Sequence, residues 1–248
     1  MIQSITNTPW LIRFRSASQA RTRLVCLPHA GGSASFYFPM TRTVAPDTDV
    51  LAVQYPGRQD RRSEPCLTDL GELADEIASA LQPWLELPTV LFGHSMGATL
   101  AFEVARRLER DPAFTPRRII ASGRRAPSTH REEAVHKRDD DGIIAEMRLL
   151  SGTDARILAD EEFLRMAMPA IRGDYTAIET YRVEPGAKVR APITVLTGDT
   201  DVRTSAEEAA AWRQHTTGDF ELHTFAGGHF FLADHLEQVG GIVSDCLL

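Results

Sequence analysis

Gly93-His94-Ser95-Met96-Gly97 is a stretch of this 248-residue chain that could do covalent chemistry. It fits G-x-S-x-G, a pattern weak by itself but strengthened by what flanks it. A buried-strand run, residues 89–92, comes directly before it, and a helical pattern starting near Met96 comes directly after. A strand-turn-helix this sharp needs small residues two before and two after the serine, and it lifts the hydroxyl clear at the C-terminal edge of a sheet. The start of the helix adds a positive dipole end. A serine hydroxyl is a poor nucleophile at neutral pH, so a base must take its proton, and histidine has the pKa for that task. Of eight histidines, His229 fits best, because it follows Phe225-Ala226-Gly227-Gly228 on a loop after the last strand pattern. His94 should point away from the serine, and His215, His223 and His235 are expected on solvated helix or strand surfaces.

A carboxylate must orient that imidazole and stabilise its charged form. Gly198-Asp199-Thr200-Asp201 follows the strand pattern of residues 193–197 and lies between serine and histidine in chain order. Asp201, further out on the loop, is the choice and Asp199 the alternative; the one not used is expected to cap the helix near Ser205. Acyl transfer also needs two donors for the developing oxyanion. The Met96 amide, next after the nucleophile, is one. Leu27-Pro28-His29-Ala30-Gly31-Gly32 follows an early strand pattern and offers the other through Ala30, with His29 expected to shape this loop by hydrogen bonding and to border the substrate. The glycines do not make a phosphate loop, since the lysine and the G-x-x-x-x-G-K-[ST] spacing are missing.

These groups need a scaffold that brings several loops to one edge. Short apolar runs at residues 24–27, 50–53, 89–92, 118–121, 193–197 and 220–225 alternate with helical patterns, which predicts an α/β fold with a mostly parallel central sheet flanked by helices. Residues 67–85 place Leu70, Leu73, Ala74, Ile77 and Leu81 on one stripe. Residues 128–182 break the alternation: a charged segment at 130–141 is followed only by helix-period patterns, so this stretch is expected to be an inserted helical cap on a single domain spanning 1–248. Pro169 is expected to start a second cap helix. Phe163, Met166, Ala167, Ala170, Ile171, Ile178 and Tyr181 recur at helical spacing, either packing on the core or lining a pocket. Met147, Phe163 and Met166 are the candidates for setting the length of an acyl pocket.

Bulk properties narrow the setting. The composition, 43% hydrophobic and 25% charged, is that of an ordinary globular protein. A net charge of −7 and a pI near 5.6 argue against a nucleic-acid surface. No segment approaches the roughly 18 apolar residues needed to span a bilayer, and the start lacks a leader pattern, so a cytoplasmic protein with no membrane contact is expected. Cys26, Cys66 and Cys246 lack metal or redox spacing and read as reduced thiols. No metal and no cofactor is called for, and the sequence sets no oligomeric state.

Taken together, the motifs resemble those of the type II thioesterases that accompany polyketide synthases and nonribosomal peptide synthetases, members of the α/β-hydrolase superfamily. The resemblance rests on residues 27–34, on Gln54-Tyr55-Pro56-Gly57-Arg58 with Arg61 and Arg62, and on Gly93-His94-Ser95-Met96-Gly97. Ser122-Gly123-Arg124-Arg125-Ala126-Pro127, Asp174-Tyr175 with Glu179-Thr180-Tyr181, residues 198–201 and Gly227-Gly228-His229-Phe230 complete it. It implies an α/β-hydrolase fold with a helical lid, a triad of Ser95, Asp201 and His229, and Met96 and Ala30 as oxyanion donors. It also implies hydrolysis of acyl groups from the phosphopantetheine arm of acyl or peptidyl carrier proteins. One departure is that no proline follows the loop acid.

Carrier proteins are acidic, and a chain at −7 needs a local basic surface to meet one. Arg58, Arg61, Arg62, Arg124 and Arg125 are candidates for it, with solvated charges or internal ion pairs as the other reading. Two rivals to the carrier-editing function stand beside it: another ester or medium-chain fatty acyl thioester hydrolase on this fold, and a ligand-binding protein that kept the fold without the chemistry.

Overall fold

The computed structural model describes residues 8–15, 19–150 and 161–248; the side chains of Glu161 and Phe163 lie outside that description. Its centre is a seven-stranded sheet of β1 (Leu11–Arg15), β2 (Thr22–Leu27), β3 (Thr48–Val53), β4 (Thr89–His94), β5 (Arg118–Ser122), β6 (Ile193–Gly198) and β7 (Phe220–Phe225), in the spatial order β1-β3-β2-β4-β5-β6-β7. All neighbours pair in parallel except β1, which runs antiparallel on the edge beside β3. The six strand patterns in the sequence each correspond to a strand. β1 was not among them, because its residues are mostly half-buried and its run LIRFR carries two arginines.

The inner strands are apolar on both faces because helices cover both. Successive side chains point to opposite sides, so Val25, Leu27, Leu91, Ile119 and Val195 pack with α1 (Leu70–Leu81) and α2 (Met96–Leu108). Leu24, Cys26, Val90, Phe92, Ile120 and Leu196 pack with α6 (Leu236–Leu247) and with residues 34–44. α1 begins where the sequence stripe predicts, after Asp69, whose side chain accepts the Glu72 amide at 2.9 Å and satisfies one of the orphan donors of the first turn.

Between β5 and β6 lie α3 (Asp140–Leu150) and α4 (Glu161–Thr180), and no strand of the sheet among the described residues. They have a small apolar cluster of their own, Val135, Ile143, Met168 and Ile171 with Met147 against it, while Ala177 and Ile178 further along α4 join the main core. Pro169 does not start a helix as expected but sits inside α4. It is exposed, so water can serve the acceptor its missing N–H would have bonded, while Leu164, Met168, Ala170 and Ile171 bury the other side of the helix across it.

The chain runs from β2 to β3 on one side, then returns across β2 to β4 and continues the other way. The loops leaving β2 and β4 therefore diverge outside the carboxyl ends of adjacent strands, the place where open parallel sheets form a crevice. The loops after β5, β6 and β7 open onto the same edge.

Candidate active site

Ser95 is held in a conformation other residues avoid. Its φ is 54° and ψ −119°, an uncommon region for a residue with a Cβ. Contact on both sides enforces it: a Cβ on Gly93 would lie 2.0 Å from the Gly97 carbonyl oxygen, and one on Gly97 would lie 2.0 Å from that of Leu27. No other residue fits either position. The Ser95 amide donates to the Ser122 carbonyl at 2.8 Å, which pins the turn to β5. The Met96 amide, first of α2, is one of the donors a helix start leaves without an intrahelical partner.

The loops after β6 and β7 are locked together. A Cβ on Gly198 would lie 2.4 Å from the carbonyl oxygens of Gly227 and Gly228. The Asp199 carboxylate accepts the Gly227 amide at 2.9 Å, and the Thr200 amide donates to the Gly227 carbonyl at 3.0 Å. Asp199 thus ties one loop to the other and is not the helix cap expected of it; Ser205 caps that helix, α5 (Ala206–Ala210), in a reciprocal box with Glu208. Asp201 has the other geometry: the His229 Nδ1 donates to its Oδ2 at 2.9 Å, with both side chains buried, and its Oδ1 accepts the Arg203 amide at 2.8 Å. With Nδ1 turned to the carboxylate, Nε2 is the ring nitrogen left to the cleft side.

Ser95, Met96, His229, His29 and Ala30 line one open cleft of about 500 Å³, counting space shared with solvent. The Ser95 hydroxyl makes no hydrogen bond among the described residues, and bonds of this kind commonly tighten only when substrate is bound. Three imidazoles crowd here: His94 lies 5.1 Å from His229 between ring centroids and 6.1 Å from His29. Burial, then His229, then Arg58 push the His29 pKa down to about 3, and burial with His229 and His29 takes His94 well below the ordinary value. Of the three, only His229 faces a carboxylate.

Several expectations need correction. His29 lines the cleft, but it shapes its loop by ring contacts with Phe36 at 4.6 Å and Phe230 at 4.9 Å, and its buried Nδ1 has no hydrogen-bond partner among the described residues. His215 is buried, with its nitrogens on the Ala187 carbonyl and the Ser128 hydroxyl. Met166 is 65% exposed and does not line the cleft, since α4 turns that face to solvent. Met147 packs into the α3–α4 cluster, and the Phe163 side chain lies outside the described residues.

Nor do the arginines form one basic surface. Arg58 pairs with Asp174, Arg61 with Glu64 at 2.6 Å and Arg125 with Glu133, all within the protein. Arg62 is exposed, and Arg124 lines the cleft, its pKa lowered to about 9 by burial and then by Arg125. Glu133 and Arg203, which also line the cleft, were missed, because no local pattern marks a polar residue as facing a site. Among the described residues, no helix is long and apolar enough to cross a membrane and no acidic, histidine or cysteine cluster could hold a metal.

The family model described as thioesterase domain fits residues 22–247. A probable cadicidin biosynthesis thioesterase of Streptomyces griseus is 58% identical over 242 residues, 98% of this chain and 67% of that protein. Thioesterase PikA5 of Streptomyces venezuelae is 48% identical over 240 residues, 96% of this chain and 85% of that protein. Among solved structures, the type II thioesterase BorB of the borrelidin biosynthetic cluster superposes with a TM-score of 0.90 at 51% identity, covering 96% of this chain and 98% of that one. The chain therefore belongs to the thioesterase domain family, is related to type II thioesterases of polyketide and nonribosomal peptide pathways, and is a thioester hydrolase of α/β-hydrolase fold.

Proposed function

We propose that this enzyme removes acyl groups from the phosphopantetheine arm of acyl or peptidyl carrier proteins serving polyketide or nonribosomal peptide assembly. In this reading Ser95 is the nucleophile, His229 the base, Asp201 the orienting acid, and the amides of Met96 and Ala30 the oxyanion donors. The observation that carries it is the buried 2.9 Å bond from His229 to Asp201 beside a cleft that Ser95, His229, Met96 and Ala30 all line. The stretch 128–182, of which 151–160 lie outside the described residues, acts as a lid on a single hydrolase domain, with Tyr175, Ile178 and Glu179 of α4 forming part of the cleft wall. Three free cysteines agree with a cytoplasmic setting.

The chemistry follows from the placement. His229 Nε2 takes the hydroxyl proton as Ser95 Oγ attacks the thioester carbonyl, and the oxyanion that forms is met by the two amides. The carbon–sulfur bond breaks, and His229 returns the proton to the leaving thiol. Water, deprotonated by the same nitrogen, then attacks the acyl-serine, and collapse of the second tetrahedral intermediate frees the acid and Ser95. Asp201 holds the imidazole in the productive tautomer and stabilises it when charged.

Ser95→Ala is expected to lower kcat on an acyl carrier protein by about three orders of magnitude or more, with circular dichroism unchanged. Near-full activity in that variant would overturn the assignment. Rates on acyl-carrier, acyl-N-acetylcysteamine and p-nitrophenyl ester substrates test the carrier: kcat/KM should be highest on the first, and equal values on all three would remove the carrier from the proposal.

A further inference from the structure

The loop that offers the Ala30 amide has no regular structure, yet its backbone is gripped at three points by side chains. The Tyr55 hydroxyl donates to the Pro28 carbonyl at 2.9 Å, the Gly31 amide donates to Asp174 Oδ2 at 2.7 Å, and Arg58 Nη1 donates to the Gly32 carbonyl at 3.1 Å. The last two grips are one unit: Arg58 and Asp174 form a two-pronged ion pair at 2.5 and 2.8 Å, with 9% and 1% of their side chains exposed. The Arg58 guanidinium also lies over the Tyr55 ring, 5.1 Å from its centroid. Asp174 comes from α4, which lies directly on the loop, so that a Cβ on Gly31, at φ 74°, would be 2.9 Å from Ile171.

Two physical points give this arrangement a catalytic meaning. An oxyanion donor must stay aimed at the place where charge develops, and small misplacements are costly in rate. A bare carboxylate one residue from that donor would also oppose the developing negative charge; the guanidinium against both its oxygens cancels that field. Stability alone is a weak reason for such a pair, since apolar replacements of buried ion pairs are often no less stable.

We propose that Arg58 and Asp174 are positioning residues for thioester hydrolysis: they hold the Gly31–Gly32 backbone, and through it the Ala30 amide, aligned with Ser95, so that the oxyanion hole is complete only when α4 is seated. This rests on the reading of Ala30 as an oxyanion donor.

The double variant Arg58→Met/Asp174→Leu removes both charges and leaves neither ion unpaired. Assayed well below its unfolding midpoint on an acyl-N-acetylcysteamine thioester, it should lose about tenfold to a hundredfold in kcat while KM moves less than about threefold. Its affinity for a trifluoromethyl ketone, which forms the tetrahedral adduct, should fall by the same factor as kcat. Wild-type kcat and ketone affinity in the folded variant would overturn the proposal. If the double variant does not fold, Asp174→Asn is measured in the same way: parallel losses in kcat and ketone affinity support positioning, and a rise in KM alone overturns it. Ser95→Ala is run beside them. Activity remaining there sinks the functional reading, whereas an inactive Ser95→Ala with a fully active double variant sinks only the clamp.

Discussion

The part of the cleft that carries Ser95 and the part lined by Arg124, Glu133, Glu179 and Arg203 are held by different forces. The Ser95 wall is fixed by shape: Gly93 and Gly97 admit no Cβ, the strand beneath is fully buried, and the backbone bond from Ser95 to Ser122 closes the turn. The other part is held by charge. Glu133 bonds Arg125 and also Arg203, the latter at 2.7 Å; Arg203 reaches on to Glu146, and Glu179 takes the His136 ring and the amides of Val135 and His136. Steric constraint is indifferent to pH and salt, whereas a carboxylate network holds only while its carboxylates are ionised. Ser95, the proposed nucleophile, is thus presented rigidly, while the charged part of the cleft rests on ionic contacts.

The contrast is tested most severely where the rigid part meets His229. Asp201→Asn should keep the fold yet lower kcat by up to about 10⁴-fold, since the amide favours the wrong imidazole tautomer; steady-state kinetics with a circular dichroism control would show it, and a loss below tenfold would mean that Asp201 only packs. Gly97→Ala comes next. Its Cβ would sit 2.0 Å from the Leu27 carbonyl oxygen, so urea unfolding should report a loss of about 3 kcal/mol or more, unaffected by ionic strength.

The charged wall should respond in the opposite manner. Burial alone would raise the Glu133 carboxyl, but the hydrogen bond and charge of Arg125, with Arg124 and Arg203 beyond, hold it below the ordinary value. A depressed pKa contributes stability that is complete above the unfolded value of 4.5 and is lost as pH falls through the lower folded value. Glu133→Gln should therefore cost about 1–3 kcal/mol at pH 7, by leaving Arg125 and Arg203 short of a partner, and progressively less as pH drops below about 4.5. Urea midpoints of both proteins at pH 7 and pH 4 decide this, and a pH-independent difference would mean that Glu133 acts by packing.

Most elements that position the serine were legible in the sequence because they depend on neighbours in the chain. The apolar runs became β2 to β7, the stripe from Leu70 to Leu81 became α1, and α2 begins at Met96, where its pattern starts. β1 escaped because an edge strand need not be apolar, and Pro169 misled because local propensity yields to burial of the rest of α4. For the arginines the sequence left two readings open, and internal pairing holds for Arg58, Arg61 and Arg125. Sequence marks a charge but not its partner, and Arg58 meets Asp174 across 116 residues.

The sequence by itself determined the turn at Ser95, because glycines two before and two after a serine, between strand and helix patterns, encode a local steric solution. It also named the loops that end near that turn, since parallel strands send their carboxyl ends to one edge. Only the tertiary structure decided between the two loop aspartates, giving Asp201 to His229 and Asp199 to the Gly227 amide. It alone put Asp174 of α4 on the amide of Gly31. Those choices depend on distances between residues remote in the chain, which are set when the sheet and helices pack.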